Sequence, residues 1–436
     1  MKSLVFEKNI GIETYLTKEK GIGGKLRTTP EDFIVKELYL YPKRKETGNY
    51  NLAEISCKNW ETHTLVRELA KRLHISRKRI GFAGTKDKRA LSTQLMSFYD
   101  VSMEELSNIK IKHVSLNNIY SSDKPIKIGD LYGNTFEIII RNINNKVESK
   151  QIENLTSFLK DYRGFPNFYG VQRFGIVRPI THIVGRHIVD GDFEKAVMIY
   201  IANPIEGENE ETYELRKELE KSRDYSKALH TYPDQLNFEK AILNKLVVEP
   251  KDFVGALKEL PRNLLTMLIN AYQSYLFNKI LSERIKRKIP LNQAIVGDIV
   301  LPLRNNIKDN EGILVTKSNL EKVNKQISKK RAVVSGLLIG SDSIFSKGEM
   351  GEIEQKIIEK EKIDCRDFIV PEIPFISSSG SRRILLAPLT SIDWRVHDDV
   401  LNNGKKALTL KFELQKGCYA TSLLREFMKS EDIKNY

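Results

Sequence analysis

Runs of β-branched and aromatic residues, bounded by Gly, Pro or Asn, predict strands at residues 32–41 and 134–143. Between these runs, in residues 62–75, Leu65, Leu69 and Leu73 recur at every fourth position, which is the spacing of one face of a helix. Basic residues occupy other positions of that helix. The first third of the chain is therefore predicted to alternate strands with single helices.

Helical patterns dominate the middle of the chain. Residues 206–224 contain eight acidic and four basic residues, which predicts a surface helix that nucleic acid would repel. A long helix with an apolar stripe is predicted at 264–290, and polar helices are predicted at 317–331 and 347–363. Because strand character returns at 407–430, we expect the C-terminal residues to complete the first domain, with a mostly helical module inserted into it.

Length and charge narrow the choice of protein class. The chain has 436 residues, which is more than a single hydrophobic core organises, so two or more domains are expected. Its 71 Lys and Arg residues exceed its 57 Asp and Glu residues, which gives a formal net charge of +14. The segment from Lys58 to Arg89 has ten basic and three acidic residues. This excess predicts a polyanionic partner such as nucleic acid, and a solvated basic surface is the alternative.

Familiar metal and cofactor motifs are missing from the sequence. His182 and His187 lack the Glu of a zinc-protease helix, and no CxxC pair occurs, so no metal is expected. The stretch GIGGKL at 21–26 lacks the Ser or Thr of a phosphate-binding loop, and no GxGxxG follows a strand. Since no stretch of about 18 apolar residues occurs, we expect a cytoplasmic protein without a membrane span.

The loop GTKDKRA, residues 84–90, is the strongest candidate for chemistry. Asp87 is an ordinary turn residue, a ligand for magnesium, or a catalytic carboxylate that basic neighbours bring to a nucleic acid. If the segment is extended, Lys86 and Lys88 share one face and Asp87 points to the other. The lysines would then contact phosphate, and an ionised Asp87 would need a cation from elsewhere in the chain.

Six sequence blocks, taken together and in this order, resemble the TruD family of tRNA pseudouridine synthases. The blocks are RTTPEDFIVKE (27–37), FAGTKDKRALSTQ (82–94), GNTFEIIIR (133–141), FPNFYGVQRFG (165–175), AYQSYLFN (271–278) and KGCYATSLLRE (416–426). The resemblance implies an α/β (α+β) fold. A pseudouridine-synthase catalytic domain with a mixed, mainly antiparallel sheet, at 1–163 and 387–436, would contain an inserted TRUD α/β domain at 164–386. The segment at about 200–262 looks longer than in compact bacterial members.

The resemblance also implies roles for individual residues. Asp87 would be the catalytic carboxylate, and Arg27, where many bacterial members have Lys, would supply its cation. The target uridine, flipped out of its stack, would contact Phe33, Asn134, Phe136 and Tyr419. RNA phosphates would contact three basic residues of the loop: Lys86, Lys88 and Arg89.

The implied reaction is the isomerisation of uridine to pseudouridine in tRNA, most often at position 13, without metal or other cofactor. Asp87 would attack C1′ or remove the 2′ proton, and the sequence leaves both routes open. We expect a monomer that requires no protein partner. Two other functions are weighed against this one: a non-catalytic RNA chaperone that uses the same basic cleft, and an RNA methyltransferase, which the missing cofactor loop disfavours.

Overall fold

The computed structural model describes residues 5–304, 307–308, 311–430, 432 and 435. The chain forms two compact units. The first, called here the sheet unit, contains Glu19–Phe165 and Ala387–Tyr436, and the second, called the inserted unit, contains Met1–Lys18 and Pro166–Leu386. The predicted division placed all of 1–163 in one domain, whereas the structure groups Met1–Lys18 with the inserted unit.

The strands, in chain order, are β1 (Gly23–Lys25), β2 (Phe33–Tyr39), β3 (Tyr50–Lys58), β4 (Ile80–Phe82), β5 (Leu91–Tyr99), β6 (Val114–Ser122), β7 (Leu131–Ile143), β8 (Gly164–Pro166), β9 (Ile299–Arg304), β10 (Ile307–Lys308), β11 (Ile313–Leu314), β12 (Ala332–Leu338), β13 (Ser381–Ile384), β14 (Leu386–Pro388), β15 (Ile392–Asp398) and β16 (Lys406–Gln415).

The α-helices are α1 (Val5–Asn9), α2 (Thr62–Arg72), α3 (Met103–Ser107), α4 (Ser149–Tyr162), α5 (Thr181–Val189), α6 (Phe193–Ala202), α7 (Glu210–Ser222), α8 (Tyr225–Thr231), α9 (Asn237–Val248), α10 (Phe253–Lys258), α11 (Arg262–Lys286), α12 (Leu320–Ser328), α13 (Gly348–Glu361) and α14 (Ala420–Met428).

The sheet unit contains a nine-stranded sheet in the order β15-β16-β7-β2-β5-β3-β6, with β1 paired to β7 and β4 to β5. The β2–β5 pair is parallel and the other pairs are antiparallel. The predicted mixed, mainly antiparallel sheet is therefore confirmed. The stretch GIGGKL, which resembles a phosphate-binding loop, contains strand β1. Gly24 in this strand has a φ of +92°, and a Cβ at this position would lie 2.6 Å from the Ile140 side chain, so the position requires glycine.

Register decides which side chains share a face of this sheet. Val35 on β2 lies opposite Phe136 on β7, and Glu37 lies opposite Asn134. Since directly paired residues point to the same side, these four side chains and Phe33 lie on one face, called here the cleft face.

Helices cover the cleft face at both ends of the sheet. Leu65 and Leu69 of α2 pack over β3 and β5, in the position that the leucine spacing predicts. Leu155 of α4 and Leu423 of α14 pack over β7 and β16 in a separate cluster. The strand β2 lies between the two covered regions, and its Phe33 and Val35 side chains belong to the second cluster. Helix α2 ends three residues before its predicted end, and His74 adopts a φ of +54° just beyond it.

The inserted unit combines helices with a five-stranded antiparallel sheet of order β10-β9-β12-β13, in which β11 pairs with β9. The expectation of a mostly helical module missed this sheet, because its strands are short and separated by polar helices. Asn278 of the AYQSYLFN block is fully buried and holds the unit together. Its Nδ2 donates to the Ile10 and Tyr169 carbonyls at 2.9 and 3.0 Å, and its Oδ1 accepts from the Tyr169 amide at 2.9 Å.

The acidic stretch forms helix α7, and one of its basic residues is a structural anchor. Arg216 is buried, and its guanidinium contacts Glu208 at 3.2 Å and Glu239 at 2.8 Å. The ion pairs therefore join α7 to α9 inside the extra 200–262 segment. At least one charged side chain of this helix is thus buried in ion pairs, and a count of acidic and basic residues does not reveal this.

Candidate active site

Arg27 and Asp87 form an ion pair in the sheet unit. Arg27 Nη2 lies 2.7 Å from Asp87 Oδ2, and the exposed fractions of the two side chains are 12% and 55%. Arg27 adopts a φ of +54°, in the left-handed region that costs a non-glycine residue free energy. Asp87 Oδ1 has no hydrogen bond to another described residue. One carboxylate oxygen is thus held by a cation while the other can meet a ligand.

Phe33, at the start of β2, supports the Arg27 guanidinium. Arg27 Cζ lies 4.2 Å from the centre of the Phe33 ring, which is a cation–π contact. The Phe33 ring meets Phe136 edge-on at 6.1 Å, and Phe136 stacks on Phe412 at 5.3 Å. Phe33 is buried and Arg27 covers one face of its ring, so little of the ring is open to a bound base.

A second charged group fixes the beginning of β2. Arg141 Nη2 lies 2.7 Å from Asp32 Oδ1, and its Nη1 lies 2.9 Å from Asp399 Oδ1. Both carboxylates are fully buried. Asp32 also accepts a hydrogen bond from the Thr29 amide at 2.8 Å, which closes the turn after Arg27. The Asp of the PEDF sequence is therefore a structural anchor for the residues on either side of it.

Hydrogen bonds lower the pKa of the Asp399 carboxyl. Burial opposes its ionisation, but the amides of Asn142 and Leu401 and the side chains of Asn402 and Arg141 outweigh burial and lower the pKa to about 2. Asp399 is therefore ionised at neutral pH and balances the charge of Arg141.

The loop before Asp87 runs without regular structure, and Lys86 points inward. Its Nζ forms an ion pair with Glu37, and the exposed fractions of the two side chains are 9% and 0%. Lys86 is therefore paired inside the protein, and its contact with RNA phosphate stays a prediction. Residues 84–87 do not form a strand, so the side chains of Lys86 and Lys88 do not share one face as an extended segment would require. Lys86 and Asp87 still have different partners, Glu37 and Arg27. Lys88 and Arg89 are exposed, as contact with phosphate requires.

Asn134 lies on β7 between Glu37 of β2 and Leu414 of β16. Its Oδ1 is buried and has no hydrogen-bond partner. Buried acceptors are rarely left unpaired, so this atom is a candidate for a bond to a ligand. Tyr419 is half-buried and directly precedes α14. Its part in a uridine pocket stays a prediction.

Within the described residues, no group of three or more His, Cys, Asp or Glu side chains is arranged to hold a metal ion. Among the same residues, no helix has the length and hydropathy that crossing a membrane requires.

The chain belongs to the TruD family: the family model described as tRNA pseudouridine synthase D (TruD) matches residues 9–427. A probable tRNA pseudouridine synthase D of Methanococcoides burtonii is 43% identical over 439 residues, covering 98% of each chain. That of Thermococcus sibiricus is 36% identical over 427 residues, covering 95% of this chain and 97% of the relative. A crystal structure of the putative tRNA pseudouridine synthase D (TruD) from Methanosarcina mazei matches with a TM-score of 0.89 at 40% identity, covering 100% of both chains.

These similarities confirm the predicted family, the fold class and the enzyme class, a tRNA pseudouridine synthase. The roles of individual residues are not tested by them and are proposed below. Sequence reasoning missed Glu37, Thr62 and Gln94, which hold the loop before Asp87. Glu37, the Glu of FIVKE, could have indicated this arrangement. It alternates with Phe33 and Val35 on the apolar side of the predicted strand, where an acidic side chain needs a buried cation.

Proposed function

We propose that this chain converts uridine to pseudouridine in tRNA, at position 13, with Asp87 as the catalytic carboxylate. The observation that carries the proposal is the Arg27–Asp87 pair, because Arg27 holds one oxygen of an exposed carboxylate while the other oxygen stays open to a ligand. The pair lies beside the cleft face, in a chain that belongs to a family of tRNA pseudouridine synthases.

The reaction conserves every atom of the base. The C1′–N1 bond of uridine breaks, uracil turns, a C1′–C5 bond forms, the C5 proton leaves and N1 gains a proton. No electrons are gained or lost overall, so the proposal includes no cofactor. Asp87 has two possible first steps, attack on C1′ or removal of the 2′ proton, and both use the open oxygen.

The cleft face provides groups that suit a flipped uridine. We assign Phe33, Phe136 and Tyr419 to the walls of the pocket. Asn134 Oδ1 would accept a hydrogen bond from uracil N3–H, and its Nδ2 would donate to a uracil carbonyl. Such a bond would satisfy the buried acceptor that has no partner in the free protein.

Outside the pocket, Lys88 and Arg89 would contact the RNA backbone. We further propose that the enzyme acts as a monomer in the cytoplasm and needs no protein partner. The experiment that tests the function is release of tritium from tRNA labelled at uridine C5, because that hydrogen leaves when C5 bonds to C1′. The assay contains no S-adenosylmethionine, since methylation at C5 would release the same hydrogen. A wild-type protein that refolds tRNA and releases no tritium would point instead to the RNA chaperone.

A further inference from the structure

We infer that Glu37 and Lys86 are positioning residues: their buried ion pair fixes the backbone that carries Asp87. The inference rests on the proposed function, because it assigns a task to residues that act through Asp87. It also replaces the phosphate contact that the sequence suggested for Lys86. The Glu37 side chain is fully buried, and only 9% of the Lys86 side chain is exposed.

Groups other than Lys86 also fix the position of the Glu37 carboxylate. Glu37 lies on the cleft face of β2, in register with Asn134 of the neighbouring strand β7. The Tyr39 hydroxyl donates to Glu37 Oε2, and the same hydroxyl accepts from the Leu95 amide. Gln94 Nε2 contacts Glu37 Oε1 at 3.4 Å. The carboxylate therefore has partners from two strands and a fixed position to offer the Lys86 ammonium.

The backbone on either side of Thr85 is pinned by two more buried side chains. Gln94 Nε2 donates to the Gly84 carbonyl at 2.7 Å. The Lys86 amide donates to Thr62 Oγ1 at 2.7 Å, and Thr62 Oγ1 donates to Gln94 Oε1 at 3.1 Å. Residues 84–87 belong to no strand or helix, so these side chains replace the hydrogen bonds that regular structure would supply.

Gly84 fits the same arrangement. A Cβ at this position would lie 3.3 Å from Glu37 Oε1 and 3.6 Å from Lys86 Nζ. The first distance is tighter than ordinary packing, so a side chain would press on the ion pair. The glycine of GTKDK is therefore explained by the close approach of the loop to Glu37.

The consequence for Asp87 follows from its place in the chain. It is the residue after Lys86, and its Oδ2 must reach Arg27 Nη2 at 2.7 Å. Breaking one side of a buried pair leaves an uncompensated charge, so the loop would move toward solvent to hydrate it. A displacement of about 1 Å at a reacting group can cost about 100-fold in rate.

The test compares Glu37→Gln, Lys86→Met and the double variant with wild type, by single-turnover tritium release and by tRNA binding. We expect each single change to lower kcat by about 100-fold with the tRNA Kd within about threefold of wild type. The double variant should lose less than the product of the two single losses, because it leaves no unpaired charge. Strictly multiplicative losses, or wild-type kcat in both single variants, would overturn the inference.

Two further measurements separate positioning from other roles. If Lys86 contacted phosphate, Lys86→Met would reduce the salt slope of tRNA binding by about one unit, and we expect no change. Hydrogen exchange of amides 84–88 in the free protein should accelerate in Glu37→Gln and in the milder Gly84→Ala. The exchange readout needs no activity, so it tests the inference even if wild type forms no pseudouridine, which would refute only the proposed function.

The matched control is an exposed ion pair in the same sheet. Glu137 of β7 and Lys411 of β16 lie 2.9 Å apart on the opposite face, with exposed fractions of 39% and 57%. Glu137→Gln and Lys411→Met should change neither kcat nor exchange at 84–88. Equal effects of the control pair and the Glu37 pair would attribute the losses to general destabilisation and would overturn the inference.

Discussion

Arg27 and Asp87, sixty residues apart in the sequence, meet through a 2.7 Å contact between Nη2 and Oδ2. Neither residue reaches the other by local structure. Arg27 is placed by the turn that Asp32 closes and by the Phe33 ring, whereas Asp87 follows the buried Lys86. The pair therefore depends on two separate anchors, and the predictions below test each part of this arrangement.

Removing the cation should slow the chemistry more than it weakens binding. We expect Arg27→Ala to lower kcat roughly tenfold or more, because charge-assisted hydrogen bonds contribute about 1.5–3 kcal/mol and Asp87 is half exposed. Arg27→Lys keeps the charge but loses the planar fork over Phe33, so its kcat should fall between wild type and Arg27→Ala. Steady-state and single-turnover tritium release provide the measurement. Arg366→Ala, at an exposed pair in the inserted unit, is the control.

Asn134 should matter for substrate and little for folding. Asn134→Ala removes an acceptor that has no partner in the free protein, so the free energy of unfolding should change by less than about 1 kcal/mol. Loss of its bond to uracil should lower kcat/KM about tenfold. Thr135→Ala, on the opposite face of the same strand, should leave kcat/KM unchanged. A large loss of stability without a loss of kcat/KM would remove Asn134 from the pocket.

Lys88 and Arg89 should act through RNA phosphate. Replacing either residue by Ala should reduce the slope of log Kd against log salt by about one unit, without a change in the single-turnover rate at saturating tRNA. Filter binding of a tRNA transcript at several salt concentrations measures the slope. Lys411→Ala on the opposite face is the comparison. An unchanged slope in both loop variants would place these side chains away from the RNA backbone.

Acid should weaken the anchor at the start of β2. Because the pKa of Asp399 is lowered from 3.8 to about 2, its contribution to folding is fully present above pH 4 and is lost as the pH falls from 4 to 2. The shift corresponds to about 2 kcal/mol. In Asp399→Asn this part of the pH dependence should disappear. Denaturant unfolding followed by tryptophan fluorescence is suitable, since Trp60 and Trp394 both lie in the sheet unit.

The inserted unit has its own buried pair. Arg284 Nη1 and Nη2 contact the Asp298 carboxylate at 2.6 and 2.9 Å, and both side chains are fully buried. Asp298→Ala should destabilise this unit by about 3–5 kcal/mol, because it leaves the guanidinium unpaired. Replacing Asp398 of the exposed Lys406–Asp398 pair by Ala should have a much smaller effect, because solvent screens that pair. Hydrogen exchange of the two units reports each effect separately.

Much of the fold was predictable from local pattern. The leucine spacing at 62–75 gave α2, the apolar stripe at 264–290 gave α11, and the C-terminal strand and helix formed at 406–415 and 420–428. Each of these elements buries one apolar face, and the spacing of apolar residues in the sequence shows that face. The small sheet of the inserted unit was missed because several of its strands are short, such as Ile313–Leu314, and because its strands pair with residues distant in the chain.

The candidate site was only partly predictable. The need of Asp87 for a cation followed from charge, and the resemblance supplied Arg27. The direction of Lys86 could not be predicted, because it depends on where Glu37, Thr62 and Gln94 converge from three separate elements. Likewise Asp32 looked like part of a recognition block, while its role as an anchor depends on Arg141, more than a hundred residues away in the sequence.

Tritium release from a tRNA transcript labelled at uridine C5, with wild type and Asp87→Ala compared side by side, tests the central claim most directly. The account predicts release with wild type and none above background with Asp87→Ala, although both proteins bind the transcript with similar Kd. Sustained release from purified Asp87→Ala, or none from wild type across several bound tRNAs, would contradict it.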